Sequence, residues 1–377
     1  MKIIQASKFE NQGWEYLNEK TVLKNPLVLV FGNRFLLEDK GIVDDIRNEF
    51  PYEHIVFGST SGEILGRNVN DNSISVTVIE FEKSSFVVER DNILDYDKNA
   101  NSLGLKLFDK IPKKDLKHVF VLSEGSFVNG SSLINGLETN IDSKVSITGG
   151  MCGDDARFEK TVASYKEDPK EGEVILIGFY GETLEISFAS FGGWVPFGPE
   201  RIITKSEANI LYEIDGQPAL NLYKKYLGEK ARELPQASLL YPLNVTPEGK
   251  KEPVVRTILN INNEDFSMIL AGDVPINSRV QLMMASVDGI ADGAQNAAKL
   301  AMENRKQKPE IAILVSCIGR KLVMSQRVEE EIEQVNETIG EKIPITGFYS
   351  YGEMAPFNGS NNCELHNQTM TLTLISE

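Results

Sequence analysis

Three apolar runs in this chain each end in a glycine-rich turn closed by an acid: Gly58-Ser-Thr-Ser-Gly62-Glu63, Gly149-Gly-Met-Cys-Gly153-Asp154 and Gly347-Phe-Tyr-Ser-Tyr-Gly352-Glu353. A strand-like stretch leads into each turn (residues 54–57, 145–148 and 343–346), and a second lies upstream of each (27–31, 118–122 and 311–315). In the first case the residues between carry a helical pattern with Leu36, Leu37, Ile42, Val43 and Ile46. Strand, helix and a strand ending in glycine outline a parallel crossover, so one unit is reused three times. Residues 74–81 and 86–89 read as a hairpin around Lys83-Ser-Ser85, and further strands are expected at 161–165, 174–180 and 184–189. The expected fold is α/β, with mixed sheets built from repeated βαβ units and antiparallel additions.

At 377 residues the chain exceeds one average core. Gly192-Gly-Trp-Val-Pro-Phe-Gly-Pro199 punctuates it, which suggests two domains, 1–200 and 201–377. Helical patterns are read at 206–212 and 218–226, and the proline-bearing stretch 228–253 is read as a long surface connection. Ser325 is the expected cap of a helix with Val328, Ile332, Val335 and Ile339 on one stripe, stopped by Gly340.

The formal charge of -16 repels phosphate backbones and sets nucleic acid aside as a partner. No run has the length that spans a bilayer, and residues 1–13 lack the apolar core of an export signal, so a cytoplasmic location without membrane insertion is expected. Cys152, Cys317 and Cys363 are odd in number and widely spaced, which indicates neither a disulfide framework nor a structural metal site.

Glycines just past a strand let a ligand or another backbone approach closely, and the carboxyl edge of an open sheet is where ligands bind. Glu63, Asp154 and Glu353 are either turn caps or, at three equivalent places, carboxylates around one polar cavity. Ser316-Cys317-Ile-Gly319-Arg320 stands at the end of an upstream strand, where Arg320 meets either a ligand carboxylate or an internal acid. Cys317 with His366 and Asn367 supplies the residue types of a thiol hydrolase, and the bland reading of each histidine, His54 and His118 included, is a structural donor.

These residues resemble the FIST family, bacterial and archaeal sensory modules with an N-terminal and a C-terminal FIST domain. The likeness rests on Ser59-Thr60-x-Gly62-Glu63, Gly149-Gly150 with Asp154, Phe158 and Thr161 in the first half. In the second half it rests on Asp215-Gly-x-Pro218-Ala219 with Tyr223 and Gly228, Ser316-Cys317-x-Gly319-Arg320, Gly347-Phe348 to Gly352-Glu353, Pro356, and His366-Asn367-x-Thr369. Gly58 stands where the family often has cysteine, so a thiol role at that turn does not carry over. The resemblance implies a non-enzymatic sensor of a small ligand such as an amino acid, needing no cofactor. Its signal passes in trans to a kinase, chemoreceptor or cyclic-dinucleotide enzyme. In the expected site Arg320 holds an anionic group and Glu63, Asp154 and Glu353 hold an amine. Ser59, Thr60, Tyr351, His366 and Asn367 hydrogen-bond, and Gly62, Gly149, Gly150 and Cys317 form the surrounding turns. Some relatives resemble haem proteins that sense nitric oxide, which makes a haem sensor the first alternative and a Cys-His hydrolase the second.

Overall fold

In the computed structural model, which describes residues 1–357 and 359–377, the three crossovers form. Leu27–Gly32 lies parallel to His54–Ser59, Leu116–Ser123 to Ser146–Met151, and Ile311–Cys317 to Ile345–Ser350. In each unit a return strand pairs antiparallel with the first crossover strand: Ser73–Glu80, Glu173–Tyr180 and Met370–Ser376. An outer strand then closes each set: Lys2–Phe9, Ser85–Asn92 and Glu185–Phe191. The fold is therefore α/β with mixed sheets built from repeated units. Residues 74–81 and 86–89 do not make a hairpin, because Ser73–Glu80 and Ser85–Asn92 belong to different units and pair with different sheets.

The units are locked together by strand exchange. After its glycine turn each chain segment leaves its own unit and pairs antiparallel with the second crossover strand of another. Glu63–Leu65 of the first unit joins Ile345–Ser350 of the third, Gly352–Pro356 of the third joins Ser146–Met151 of the second, and Ala163–Tyr165 of the second joins His54–Ser59 of the first. The cycle closes on itself. Two of the three six-stranded sheets thus mix strands from the first and second halves of the chain.

This arrangement explains the glycines. Phe31 pairs with Gly58, Leu122 with Gly150, and Val315 with Phe348, so Gly58, Gly150 and Phe348 occupy one register position in three units. All three meet the first strand of another unit. Phe348 packs against Phe31 at 4.7 Å between ring centroids, the rings tilted by 38°. A Cβ on Gly58 would lie 2.7 Å from the Leu122 side chain, and one on Gly150 would lie 2.4 Å from that of Val315 and 3.4 Å from the Phe348 ring. One large ring fills the centre and the two equivalent positions have no room for a side chain, as close packing requires.

The acids hold the same crossing points. Glu63 takes hydrogen bonds from Thr60 Oγ1 in its own turn (2.6 Å) and from Ser73 Oγ at the start of its return strand (2.6 Å). Glu353 repeats this, with Ser350 Oγ (2.6 Å) and with Thr369 through Oγ1 (3.0 Å) and N (3.1 Å). Both are fully buried, and burial raises each carboxyl to about 8 against the pull of those hydroxyls. At neutral pH they are therefore mostly protonated, which removes much of the cost of burying a charge.

Between the outer strand and the next helix of the third unit the chain makes a separate β-rich module. It opens with Val195–Glu207 and returns with Arg279–Met284, and Val195 lies opposite Met284, so both connections leave from one end. Its sheet also includes Ile210–Ile214, Leu243–Thr246, Val254–Arg256, Ile258–Ile261 and Met268–Leu270 around its own apolar core. The expected helix at 206–212 is instead part of two antiparallel strands joined by a tight turn, with Ala208 at φ 48°. Apolar residues with a short turn at Ala208-Asn209 satisfy alternation as well as helical spacing. The stretch 228–253 is no featureless connection: it holds short 3-10 turns and the strand Leu243–Thr246. The last helix is Glu329–Ile339, with Ile332, Val335 and Ile339 buried and Gly340 at φ 116° ending it. Its N-cap is Val328, and Ser325 makes no side-chain cap because it sits in the preceding 3-10 turn at φ 51°.

Two outcomes follow from this architecture. Gly150→Ala should cost about 1–3 kcal/mol in denaturant unfolding through overpacking. Combined with Val315→Ala it should cost less than the sum of the single changes, by about 0.5 kcal/mol or more. Glu63 and Glu353 have folded values raised above the unfolded value, so their stabilisation is full below about 4.5 and is lost as pH rises through about 8. Glu63→Gln and Glu353→Gln should each flatten the fall of unfolding free energy between pH 5 and 8 by about one proton, read from denaturation curves at a series of pH values.

Candidate ligand site

At the carboxyl end of Leu116–Ser123, where ligands sit in open α/β sheets, the chain turns around a buried carboxylate. Glu124 accepts from Thr161 Oγ1 (2.6 Å) and from the backbone N–H groups of Ser126 (2.6 Å), Phe127 (2.9 Å) and Val128 (3.2 Å). That fixes the loop ahead of the helix Gly130–Glu138, capped by Asn129. Opposite the loop stand Met151, Phe158 and Tyr351, and the edge strand Ile258–Ile261 and its neighbour Met268–Leu270 of the inserted module cover it. The space enclosed is about 380 Å³, within the range of small-ligand cavities.

Phe158 is the strained member. Its φ of 54° is rare for a bulky side chain, and it is held there by its N–H donating to the Tyr351 hydroxyl (3.0 Å) and by stacking on that ring at 4.3 Å. Backbone strain of this kind gathers at ligand clamps. Burial pushes the Tyr351 phenol well up, so it stays neutral.

The module is docked beside this cavity by buried polar groups. The Arg256 guanidinium donates to the carbonyls of Asp273 (3.1 Å) and Leu365 (2.6 Å). Asn367 sits between Thr257 N and the Tyr351 carbonyl, each at 3.5 Å. Gln368 Nε2 donates to Leu239 O and Thr257 Oγ1, both at 3.0 Å.

Of the residues expected at the site, Tyr351 lines this cavity. The acids and the guanidinium do not gather around one wet hollow. Glu63 and Glu353 are consumed in the clasps described above. Asp154 is buried beside Arg34 Nε (3.0 Å) and Arg157 (3.4 Å); the second-unit position matching Thr60 and Ser350 is Cys152, which has no hydroxyl to offer. Arg320 is fully buried: Glu331 takes its Nε (2.9 Å) and Nη2 (2.7 Å), Ile290 O takes Nη2 (2.9 Å), and Gly192 O takes Nη1. The internal ion pair is thus its role, since a guanidinium excluded from water needs every donor matched.

Ser59 Oγ accepts from Val162 N (2.9 Å) and so pins the exchanged strand. Gly62, at φ 137°, leaves space for the Lys321 ammonium, which a Cβ would meet at 2.6 Å. Gly149, at φ 146°, runs against the Val121 carbonyl, and Gly150 faces the central packing. His366 is buried with Nε2 on Ala355 O (3.0 Å), and burial lowers it to about 4, so it is neutral. Cys317 lies in the apolar core, where burial drives its thiol far above the ordinary range.

The imidazoles also fit a haem poorly. His118 spends both ring nitrogens on Ser146 (2.7 Å) and Thr148 (2.8 Å), His366 spends Nε2 as above, and His54 sits at the opposite end of its strand from the glycine turn, bonded to the Tyr165 hydroxyl (2.6 Å).

Two groups escaped the sequence reading. Glu331 accepts from Ser316 (3.1 Å) and Tyr349 (2.5 Å) as well as Arg320, and its place on the stripe of Val328, Ile332 and Val335 marked it as buried. Glu124 carried a fainter signal, an acid set between an apolar strand and a glycine.

The chain matches two family models, the FIST N domain over residues 26–217 and the FIST C domain over residues 219–356. It is similar to the uncharacterized protein MJ1623 of Methanocaldococcus jannaschii, 26% identical over 54% of this chain and 41% of that protein. It is also similar to the uncharacterized proteins Mb0898c of Mycobacterium bovis, at 23% identity over 48% of each chain, and Rv0628c of Mycobacterium tuberculosis, at 21% over 48% of this chain and 49% of that one. The matches thus span about half or less of those relatives' lengths. FIST domains are sensory domains for small ligands in signal transduction, and with both domain models matched across nearly all its length, this chain belongs to the FIST family.

Proposed function

We propose that this chain is a non-catalytic sensor whose small polar ligand occupies the cavity between the loop after Leu116–Ser123 and the inserted module. The observation that carries the reading is the cavity's composition from two parts joined at one end, with the strained Phe158 and Tyr351 as its aromatic floor. A ligand that touches both parts favours one of their relative positions, and that preference is what converts occupancy into a signal. The signal passes to a partner in the cytoplasm, a kinase, chemoreceptor or cyclic-dinucleotide enzyme. An amino acid, the ligand class that the family resemblance implies, would meet no charged side chain in this lining, because Arg320 and the three acids are engaged elsewhere. Hydrolysis is disfavoured by the chemistry of Cys317: a thiol held protonated in an apolar core is a poor nucleophile.

A thermal-shift panel of amino acids and other small polar metabolites should contain a member that raises the unfolding midpoint. At about 100 times its dissociation constant such a ligand adds about 2.7 kcal/mol. The shift should vanish in Ala271→Phe, which fills the half-buried lining of the cavity. A panel without effect, or a shift that survives the filled cavity, contradicts the site. Under native conditions Cys317 should resist a thiol-selective reagent and react once the chain is unfolded; rapid native labelling at Cys317 would revive the hydrolase.

A further inference from the structure

The cavity's lining contains no Asp, Glu, Lys, Arg or His. Charges that approach it from behind are already matched or turned away. Glu124 is spent on the loop, Asp273 accepts from Asn129 Nδ2 (3.1 Å), and Lys98 rests over the ring of Phe127 at 5.0 Å. An ionised ligand would lose water there without gaining an opposite side-chain charge, which is unfavourable.

What the walls do offer is aromatic surface and two amide groups with open valences. Asn209 donates its Nδ2 to the Leu270 carbonyl (2.8 Å), which fixes the orientation of that amide and leaves Oδ1 as an acceptor. Asn260 accepts the Ile261 N–H on Oδ1 (2.8 Å), which leaves its Nδ2 as a donor. Among the described residues neither remaining atom has a protein partner. Phe127, Phe158 and Tyr351 present π surface to the same space, and a flat, base-like ligand gains by stacking on such rings.

We propose that the ligand is a neutral, planar heterocycle with an adjacent N–H and C=O, as in a nucleobase or lactam, stacked on the aromatic floor and read by Asn209 and Asn260. The inference rests on the cavity being the sensory site. It names a chemistry different from an amino acid: one donor, one acceptor, one flat face and no net charge.

The test is titration calorimetry with uracil, hypoxanthine and nicotinamide against orotate, which is uracil bearing a carboxylate, and against aspartate and arginine. Uracil or hypoxanthine should bind at least about tenfold more tightly than orotate and the two amino acids. Binding should drop by about tenfold or more in Asn260→Asp, an exposed position where the fold is checked by an unchanged midpoint. Binding should vanish in Ala271→Phe. Orotate or an amino acid binding as tightly as uracil, yet lost in Ala271→Phe, overturns the ligand class and keeps the cavity. Uracil binding unaffected by Ala271→Phe overturns the cavity as the site. Failure of all three neutral compounds overturns the class, and the amino-acid panel then decides the cavity on its own.

Discussion

The exchange of one strand between successive units is the constraint on which the rest of the structure depends. Each glycine turn must deliver its chain to another unit's crossover strand, and the three second strands converge where only one large side chain fits. Gly58 and Gly150 stand where Phe348 stands in the third unit, and the buried glutamates clasp turn to return strand at two of the three crossings. Because the exchange couples the first half of the chain to the second, neither half has a complete set of sheets alone.

The inserted module takes its position from that centre. The inserted module leaves and returns at one end, and it touches the body again through Arg256, Thr257 and Asn367 beside the cavity. The second unit is the one whose acid clasp is broken: Cys152 replaces a hydroxyl, Asp154 turns to arginines, and Glu124 organises a loop instead. Departure from the repeat and the opening of a cavity occur at the same unit. Two units spend their acids on closure, whereas the second unit spends Glu124 on the loop that walls the cavity.

Much of the frame was legible. The repeated strand, helix and glycine pattern gave the three crossovers, and apolar runs at 74–81 and 174–180 gave the first two return strands, because burial on both faces writes itself into composition. What the residues could not reveal was which strand each turn feeds. Pairing across units is a long-range choice, so the same glycines and acids that look like a ligand cradle along the sequence turn out to be packing at an axis. Arg320 was assigned to a ligand's anionic group for the same reason: its partner Glu331 is close in sequence but had to be recognised as buried. Phe158 and Thr161 were visible as motif residues without a role, and the structure gives them one, around Tyr351 and Glu124.

Hydrogen exchange read by mass spectrometry at rising denaturant tests the exchanged-strand centre most directly. The account predicts that Glu63–Leu65, Ala163–Tyr165 and Gly352–Pro356 stay protected until global unfolding and are then lost together, as members of one cooperative unit. Loss of protection in one of these strands at low denaturant, while the crossover strands of both halves remain closed, would contradict it.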